Sequence, residues 1–473
     1  MDQSVVKTYN KWQWKTLAIL MLGYAMYYFV RQNLAAAIPT LEAELGLTKA
    51  KLGLFLTCNQ VIYGVAKLVS GILADRFSAK KLMAFGLFAA AVCNIAIGLT
   101  PQINGMFELL DTQGKVTVGG VYFIGAMWVL NGFFQSFGYP PCASLMSRWF
   151  KPSDLSTKQS IWNTSHNLGA GLVFLLVAII LKCFGPSAWQ WFFFAPAAFA
   201  IATSFLIYSG LRDNPSDIGL PSPESMDDKL AETRKEDKES APELVMSEEV
   251  KKTLVSRMSF GNVMVWLVAL SDFFVYIIRL LIISWGATVL QQMKSMEASE
   301  SAGLMTIVEI VGGICGTLLA GIITDRYFKS KAHHTSLFCT ILATVCLFFF
   351  WKSQTPWLSV FLLVMTSFFI YGPQALLGIS ASSQATKYAA GTANGLVGIV
   401  SYMSAVLAGW GFGQIVDLEG KIFLCGYTGW DLVFFLGVIF GICGSICLAL
   451  MWKAPATGYA KAEKIVKELQ EKQ

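Results

Sequence analysis

Two arginines lie inside long apolar stretches of this sequence. Arg31 follows the run LAILMLGYAMYYFV, and Arg279 stands within DFFVYIIRLLIISW. A guanidinium group stays charged in a protein, and insertion into the centre of a bilayer costs an arginine about 2.5–3.5 kcal/mol. If these stretches cross a membrane, each arginine is expected to have a function, and binding of a charged ligand is one such function.

Positive charge exceeds negative charge in the middle of these stretches. Lys67 adds to the two arginines, whereas the deep carboxylates are Glu309 and Asp272. This imbalance favours an anion site over the alternative, in which each arginine pairs with a carboxylate or extends its head group to the membrane interface. Guanidinium groups bind phosphate oxygens through paired hydrogen bonds, so phosphate fits better than a monocarboxylate.

Tyrosines accompany both arginines at helical spacing. Tyr24 and Tyr28 precede Arg31 in the pattern i, i+4, i+7, which places all three on one helix face. Tyr276 lies one turn before the second arginine, Arg279. Tyrosines are also common in the lipid-facing interfacial belt, but their shared face with a buried cation favours the wall of a binding cavity.

His166 lies in the segment IWNTSHNLGAG, inside an apolar stretch. A buried neutral histidine with a structural hydrogen bond is one interpretation of this residue. Beside an anion site, however, a group that titrates near neutral pH can donate a hydrogen bond to phosphate or follow its protonation. We therefore include His166 among the candidate phosphate-binding residues.

The composition is that of an integral membrane protein. The 473 residues are 55% hydrophobic and 14% charged, whereas soluble domains are about 25% charged. The net charge of +6 is expected to reflect basic cytoplasmic loops and does not indicate nucleic-acid binding. The ten cysteines include no C-x-x-C pair, and we expect neither a metal nor a cofactor.

Apolar runs long enough to cross a bilayer recur along the chain. They predict an all-α membrane protein with twelve transmembrane helices near residues 15–38, 50–74, 82–100, 118–147, 158–183, 189–210, 261–291, 301–324, 334–352, 357–384, 390–416 and 428–452. The charged segment 211–257 is predicted to be a solvated linker between a six-helix half at 1–210 and another at 258–473.

The two halves repeat each other. GILADRFSAKK at 71–81 matches GIITDRYFKSK at 321–331, which begins 250 residues later, and Arg31 matches Arg279 after 248 residues. Duplicated halves with polar groups at mid-membrane are typical of secondary transporters.

Basic residues concentrate in the loops after spans 2, 4 and 8, so the positive-inside rule places both termini and the linker in the cytoplasm. We expect a monomer in a bacterial inner membrane.

Several motifs together resemble one transporter family. The loop at 71–81 resembles the signature loop of the major facilitator superfamily. Within that superfamily, GYAMYYFVRQN, YGVAKLVSG, FGYPPC, WNTSHNLGAG, FFVYIIR and IYGPQALLG resemble the organophosphate:phosphate antiporter family. The resemblance implies the major facilitator fold and the exchange of an organic phosphate for inorganic phosphate, which are then the expected partners together with the lipid bilayer.

The family's functional residues carry over to positions in this chain. The resemblance implies that Arg31 and Arg279 clamp the phosphate, with His166 and Lys67 beside them. Glu309 corresponds to an acidic residue of the eighth helix, and it and Lys67 are expected to exchange partners as the site fills. The candidate cavity residues are Tyr24, Tyr28, Tyr63, Trp162, Asn163, Tyr276 and Asn394.

Two departures from the family pattern bear on the substrate. Gln32 stands where members usually have lysine, and Asn394 and Val397 stand where the bacterial hexose-phosphate transporter has Asp and Lys. Other stretches are closer to the sugar-phosphate members, so a sugar phosphate such as glucose-6-phosphate is favoured and glycerol-3-phosphate comes next. The expected mechanism is rocker-switch alternating access. The alternatives are a membrane sensor for sugar phosphate and a proton-coupled anion symporter that uses His166 or Glu309.

Overall fold

The structure is a computed structural model that describes residues 3–150, 152–221, 247–328, 331–455 and 458–471. Helices dominate these residues. The first part of the chain contains α1 Gln3–Leu45, α2 Lys49–Arg76, α3 Ala79–Gly98, α4 Thr100–Phe107, α5 Val118–Gln135, α6 Tyr139–Trp149, α7 Pro152–Phe184 and α8 Trp191–Gly210, with short 3-10 turns at Pro186–Ala188 and Pro215–Ile218.

The second part contains equally long helices. They are α9 Glu248–Ser259, α10 Val263–Met293, α11 Ala298–Ile307, α12 Gly316–Tyr327, α13 Ala332–Lys352, α14 Pro356–Ala405, α15 Phe412–Asp417, α16 Gly429–Leu450 and α17 Tyr459–Gln470. Two π-helical segments, Val308–Cys315 and Val406–Gly411, continue α11 into α12 and α14 into α15. A two-stranded hairpin, β1 Phe423–Leu424 and β2 Tyr427–Thr428, precedes α16.

The prediction of an all-α membrane protein is confirmed. In the described part of the chain, ten helical stretches are long and apolar enough to cross a membrane, and their ends fall within a few residues of ten predicted spans. The other two predicted spans, 15–38 and 50–74, lie within α1 and α2. Strong agreement is expected here, because a spanning helix requires about 20 apolar residues in a row.

Local sequence signals explain where several helices begin and break. The side chains of Ser78 and Thr117 accept hydrogen bonds from backbone N–H groups in the first turns of α3 and α5, and Asn262 does the same for α10. Helix α14 breaks at Thr386, which has φ 65° and ψ 171°. That break lies between the predicted tenth and eleventh spans, so α14 contains the tenth and the first part of the eleventh, which continues through Val406–Gly411 into α15.

The chain divides into two compact units. The first unit comprises Met1–Leu47 and Cys58–Pro242, and the second comprises Thr48–Thr57 and Glu243–Gln473. In the first unit α1 packs against α7 and α8, and α3 packs against α5 and α8. In the second unit α10 packs against α14 and α16, and α13 packs against the same two helices.

The segment between the predicted halves is only partly described. Residues 222–246 of the predicted linker and residues 329–330 of the second repeated loop lie outside the described residues. The end of the predicted linker belongs to α9, which packs against α17 and pairs Arg257 with Glu468 at 3.7 Å. The division of the chain into halves at 1–210 and 258–473 stays a prediction.

Candidate functional site

Arg31 lies on α1 within a set of aromatic and amide side chains, which we call the Arg31 site. The residue is 7% exposed, and its Nη2 donates a hydrogen bond to Gln60 Oε1 on α2. Its guanidinium carbon lies 4.3 Å from the ring centroid of Tyr63 and 5.5 Å from that of Tyr28. Both rings are close enough for cation–π attraction, so neutral groups hold the charge in place.

An aromatic wall extends from the Arg31 site along α1 and α7. Tyr24 lies 4.5 Å from Trp162 and 5.5 Å from Tyr28, between ring centroids, and Tyr28 lies 5.4 Å from His166. The close approach of the two helices makes this possible: a Cβ on Gly169 would stand only 2.1 Å from the Ala25 carbonyl oxygen. A glycine is therefore required where the wall is built.

The histidine of the wall is held by its own helix. His166 is 6% exposed, and its Nδ1 forms a hydrogen bond with the backbone carbonyl of Asn163 one turn earlier. Because that bond fixes the ring orientation, the other ring nitrogen has a set direction. Asn163 itself is half-buried beside it.

Lys67 contacts the aromatic wall at Tyr139, a residue that was not among the candidates from the sequence. Its Nζ lies 4.4 Å from the ring centroid of Tyr139, which is 5.7 Å from Trp162 and 6.5 Å from Tyr24. Tyr139 is the first residue of α6, and the two prolines of FGYPPC follow it in the first turn of that helix. That motif was the available signal, since prolines in a first turn fix where the helix starts.

Arg279 lies on α10 within a second set of side chains, the Arg279 site. The residue is 7% exposed, and its guanidinium carbon lies 5.1 Å from the ring of Tyr371 and 5.4 Å from that of Tyr276. The Tyr371 hydroxyl donates to Glu309 Oε2 at 2.6 Å and is also hydrogen-bonded to Arg279. One phenol thus links the cation to a buried carboxylate, although the sequence had not singled it out.

Two carboxylates act on Arg279 electrostatically. Glu309 is fully buried in the π-helical segment Val308–Cys315, and Asp272 is 6% exposed on α10. Ser401 donates to Asp272 Oδ2, and both carboxylates interact with the Arg279 charge. π-Helical segments inside α-helices occur frequently at functional sites, and this one carries an acidic residue that a plain apolar span would not need.

Two further candidates of the second unit, Tyr276 and Asn394, have other contacts in addition. Tyr276 packs against Tyr402, with ring centroids 5.8 Å apart. Asn394 is exposed, and its Nδ2 donates to Ser382 Oγ at 2.6 Å, close in sequence to the break at Thr386. A role of Asn394 in the substrate cavity stays a prediction.

Both sites contain side chains that are able to bind an anion. Cations, phenols, an amide and an imidazole converge in the first unit, and a cation with phenols and carboxylates converges in the second. Within the described residues, no group of three or more His, Cys, Asp or Glu side chains is arranged to hold a metal ion. Arginine and lysine beside aromatic rings can orient an anion and its organic substituent.

Comparison with known proteins identifies the family. The sequence model of the Major Facilitator Superfamily matches residues 20–409. The probable hexose phosphate transport protein of Chlamydia pneumoniae is 31% identical over 465 residues, which cover 96% of this chain and 94% of that protein. The glycerol-3-phosphate transporter of Bacillus subtilis (strain 168) is 32% identical over 454 residues and 95% of each chain.

A solved structure supports the same fold. The crystal structure of a D-xylose-proton symporter superimposes with a TM-score of 0.69 at 14% identity, covering 93% of this chain and 97% of that one. The chain belongs to the major facilitator superfamily and, within it, to the organophosphate:phosphate antiporter family. It is an integral, multi-pass membrane transport protein and not an enzyme.

Proposed function

We propose that this protein exchanges an organic phosphate for inorganic phosphate across the membrane. The observation that carries the proposal is the pair of buried arginines, Arg31 and Arg279, each enclosed by tyrosine rings at 4.3–5.5 Å. A buried guanidinium in a membrane protein is a functional group by default, and phosphate is the ligand that its paired donors fit best.

A sugar phosphate is the organic substrate that we favour, with glycerol-3-phosphate next. In the aromatic wall, the half-buried rings of Tyr28 and Tyr139 lie beside Arg31 and Lys67 and pack against the buried rings of Tyr24 and Trp162. A sugar ring can pack its C–H face on such rings while its phosphate group bonds to the cations. The names of the relatives, a hexose phosphate transport protein and a glycerol-3-phosphate transporter, support the same substrate class.

Exchange rather than net transport follows from the charge of the sites. An empty site leaves buried cations poorly solvated, whereas a bound phosphate neutralises them. Reorientation of the carrier by a rocker-switch motion should therefore be rapid when phosphate or organic phosphate is bound and slow when the site is empty. Obligatory exchange is the kinetic result.

The test is exchange in proteoliposomes loaded with labelled inorganic phosphate. Addition of glucose-6-phosphate, glycerol-3-phosphate or 3-phosphoglycerate outside should release the label, and the relative rates rank the substrates. Arg31→Lys and Arg279→Lys should each abolish release, because an ammonium group lacks the paired donors of guanidinium. Arg212→Lys is the matched control, since Arg212 follows α8 and bonds to the carbonyls of Ser209 and Leu211.

The alternatives give different results in the same vesicles. A sensor would bind sugar phosphate yet release no label with any of the three compounds. A proton-coupled symporter would take up substrate without internal phosphate, and only with a pH gradient. Full exchange in both arginine-to-lysine variants would contradict the assignment of the binding residues.

We also propose that the protein is a monomer in a bacterial inner membrane with both termini in the cytoplasm. The basic residues of the loops after α2 and α6 support this orientation. Cysteines introduced singly at residues 7 and 468 of a cysteine-free variant should react with a membrane-impermeant thiol reagent only after the cytoplasmic face is opened. Labelling in intact cells would contradict the orientation.

A further inference from the structure

The peptide group that joins Val30 to Arg31 is held by side chains from two other helices. Asn131 Nδ2, on α5, donates to the Val30 carbonyl oxygen at 2.8 Å. Asn94 Nδ2, on α3, donates to the same oxygen at 3.1 Å. All three residues are fully buried. A mid-helix carbonyl therefore accepts two side-chain hydrogen bonds in addition to its place in the helix.

This arrangement fixes the backbone of Arg31 itself. The peptide bond is planar, so an oxygen that is held from two sides also fixes the amide nitrogen of the next residue, which here belongs to Arg31. The guanidinium group lies at the end of a long side chain, and any rotation of α1 at this point is magnified at that end. Through the Val30 carbonyl, α3 and α5 thus fix the position and rotation of α1 directly beside Arg31.

A third asparagine, Asn33, joins the same turn of α1 to α3 and α8. Asn33 Nδ2 donates to Asn94 Oδ1 at 2.7 Å and to the backbone carbonyl of Phe192, on α8, at 3.0 Å. Asn131 Oδ1 in turn accepts from Gln135 Nε2 at 3.1 Å. The buried amides form one connected network around residues 30–33, and several hydrogen bonds to one helical turn restrict its movement.

We propose that Asn131 and Asn94 are positioning residues for the phosphate site, because they hold Arg31 in its binding position through the Val30 carbonyl. The inference rests on the proposed function, in which Arg31 binds phosphate. Neither asparagine needs to touch the substrate. Buried asparagines also stabilise helix pairs in membranes in general, so the test must separate a loss of stability from a loss of phosphate affinity.

The test uses Asn131→Leu, which keeps the volume and removes the donor, in the full-length protein. Phosphate affinity is measured by isothermal titration in detergent, and the KM and Vmax of phosphate:phosphate exchange are measured in proteoliposomes. We expect the dissociation constant and the KM to rise about tenfold with little change in Vmax. Asn131→Ser is the second variant in case the leucine variant does not fold, because its short hydroxyl bonds back to its own helix.

Tyr27→Phe is the matched control. The Tyr27 hydroxyl donates to the Met83 carbonyl at 2.7 Å, so it too joins α1 to α3 through one buried hydrogen bond. It lies one turn before Arg31 and leaves the Val30 carbonyl untouched. This variant should lower the unfolding temperature as much as Asn131→Leu does, yet change phosphate affinity less than about twofold.

A double-mutant cycle identifies the residue through which Asn131 acts. In an Arg279→Lys background, Asn131→Leu should still weaken phosphate binding about tenfold, whereas in an Arg31→Lys background it should have little further effect. Additive losses in the Arg31→Lys background would overturn the inference, as would equal weakening by Tyr27→Phe or unchanged affinity in both Asn131 variants. A wild-type protein that binds no phosphate would instead refute the proposed function.

Discussion

The two arginines differ in the groups that surround them. Arg31 donates to the neutral amide of Gln60 and faces the rings of Tyr63 and Tyr28. Arg279 faces two rings as well, but it also lies in the field of two buried carboxylates, Asp272 and Glu309. The two buried arginines thus lie in different electrostatic surroundings.

Under the proposed function, this difference predicts different tasks for the two sites. A phosphate that approaches Arg31 meets positive charge from Lys67 as well and displaces neutral groups, so this site would supply most of the affinity. A phosphate that approaches Arg279 would compete with carboxylates that already act on that charge, so we expect weaker binding and easier release there. An exchanger needs both properties, because a substrate that only binds tightly is not released.

The largest expected effect is a difference in protein stability between variants of the two arginines. Arg279→Gln removes the positive charge that acts on Asp272 and Glu309 and leaves both carboxyl groups buried without it, which is expected to destabilise the folded protein. Arg31→Gln leaves only neutral neighbours among the described contacts of that site. We expect both variants to lose exchange by at least roughly a hundredfold, but only Arg279→Gln to lower the unfolding temperature in detergent strongly.

The double variant Arg279→Gln/Glu309→Gln provides the control for that prediction. Removing one carboxylate together with the arginine should recover much of the thermal stability without recovering exchange. Equal stability of the two single arginine variants would show that the carboxylates do not depend on Arg279, and the contrast between the sites would fail.

The sequence alone predicted the membrane fold because its signal is physical and strong. Runs of about 20 apolar residues have few alternatives to a spanning helix. Ten of the twelve predicted spans match helical stretches that are long and apolar enough to cross a membrane, and the comparison with known proteins confirmed the family. The spacing of Tyr24, Tyr28 and Arg31 placed them on one face of α1, and in the structure Tyr28 lies beside Arg31 while Tyr24 continues the wall toward Trp162.

Tertiary neighbours were the part that the sequence could not supply. Gln60, Tyr63 and Lys67 follow the helical spacing i, i+3, i+7 on α2, which places them on one face of that helix. This spacing is the sequence signal that could have identified Gln60. Tyr371 lies in the motif IYGPQALLG and Glu309 was a candidate, but nothing in the sequence indicated that these two side chains are in contact. Their roles arise from the packing of α14 beside the segment Val308–Cys315, which local spacing along one helix does not specify.

A second prediction makes the Arg31 site resemble the Arg279 site. Gln60→Glu would place a carboxylate against Arg31, and at about 4 Å and an effective dielectric constant of 20 the attraction is about 4 kcal/mol. Gln60 is half-buried, and solvent reduces this by about half. We expect phosphate affinity to fall roughly thirtyfold, measured by isothermal titration. Gln60→Leu, which removes the bond without adding charge, should change affinity only about threefold, and equal effects would refute the electrostatic explanation.

A third prediction makes the Arg279 site resemble the Arg31 site. Glu309→Gln removes a carboxylate that competes with phosphate for Arg279, so phosphate should bind about tenfold more tightly while exchange becomes slower. Parallel measurements of the dissociation constant and of exchange in proteoliposomes test both parts. Asp431→Asn is the matched control, because Asp431 accepts from Trp351 Nε1 at 2.6 Å in a separate cluster. Weaker binding in Glu309→Gln would mean that the carboxylate supports Arg279 rather than competing with phosphate.

The smallest effect concerns Tyr371, the phenol between Glu309 and Arg279. Tyr371→Phe keeps the ring beside the guanidinium and removes only the hydroxyl that bonds to both groups. A hydrogen bond of this kind contributes about 1 kcal/mol, so the exchange rate should change about fivefold. If the hydroxyl passes the effect of the carboxylate to Arg279, the change should disappear in a Glu309→Gln background, because the hydroxyl then has no charge to transmit. A full fivefold change in that background would show that Tyr371 acts on Arg279 directly. Tyr122→Phe is the control: Tyr122 is an exposed tyrosine on α5, and this variant should leave the exchange rate unaltered in either background.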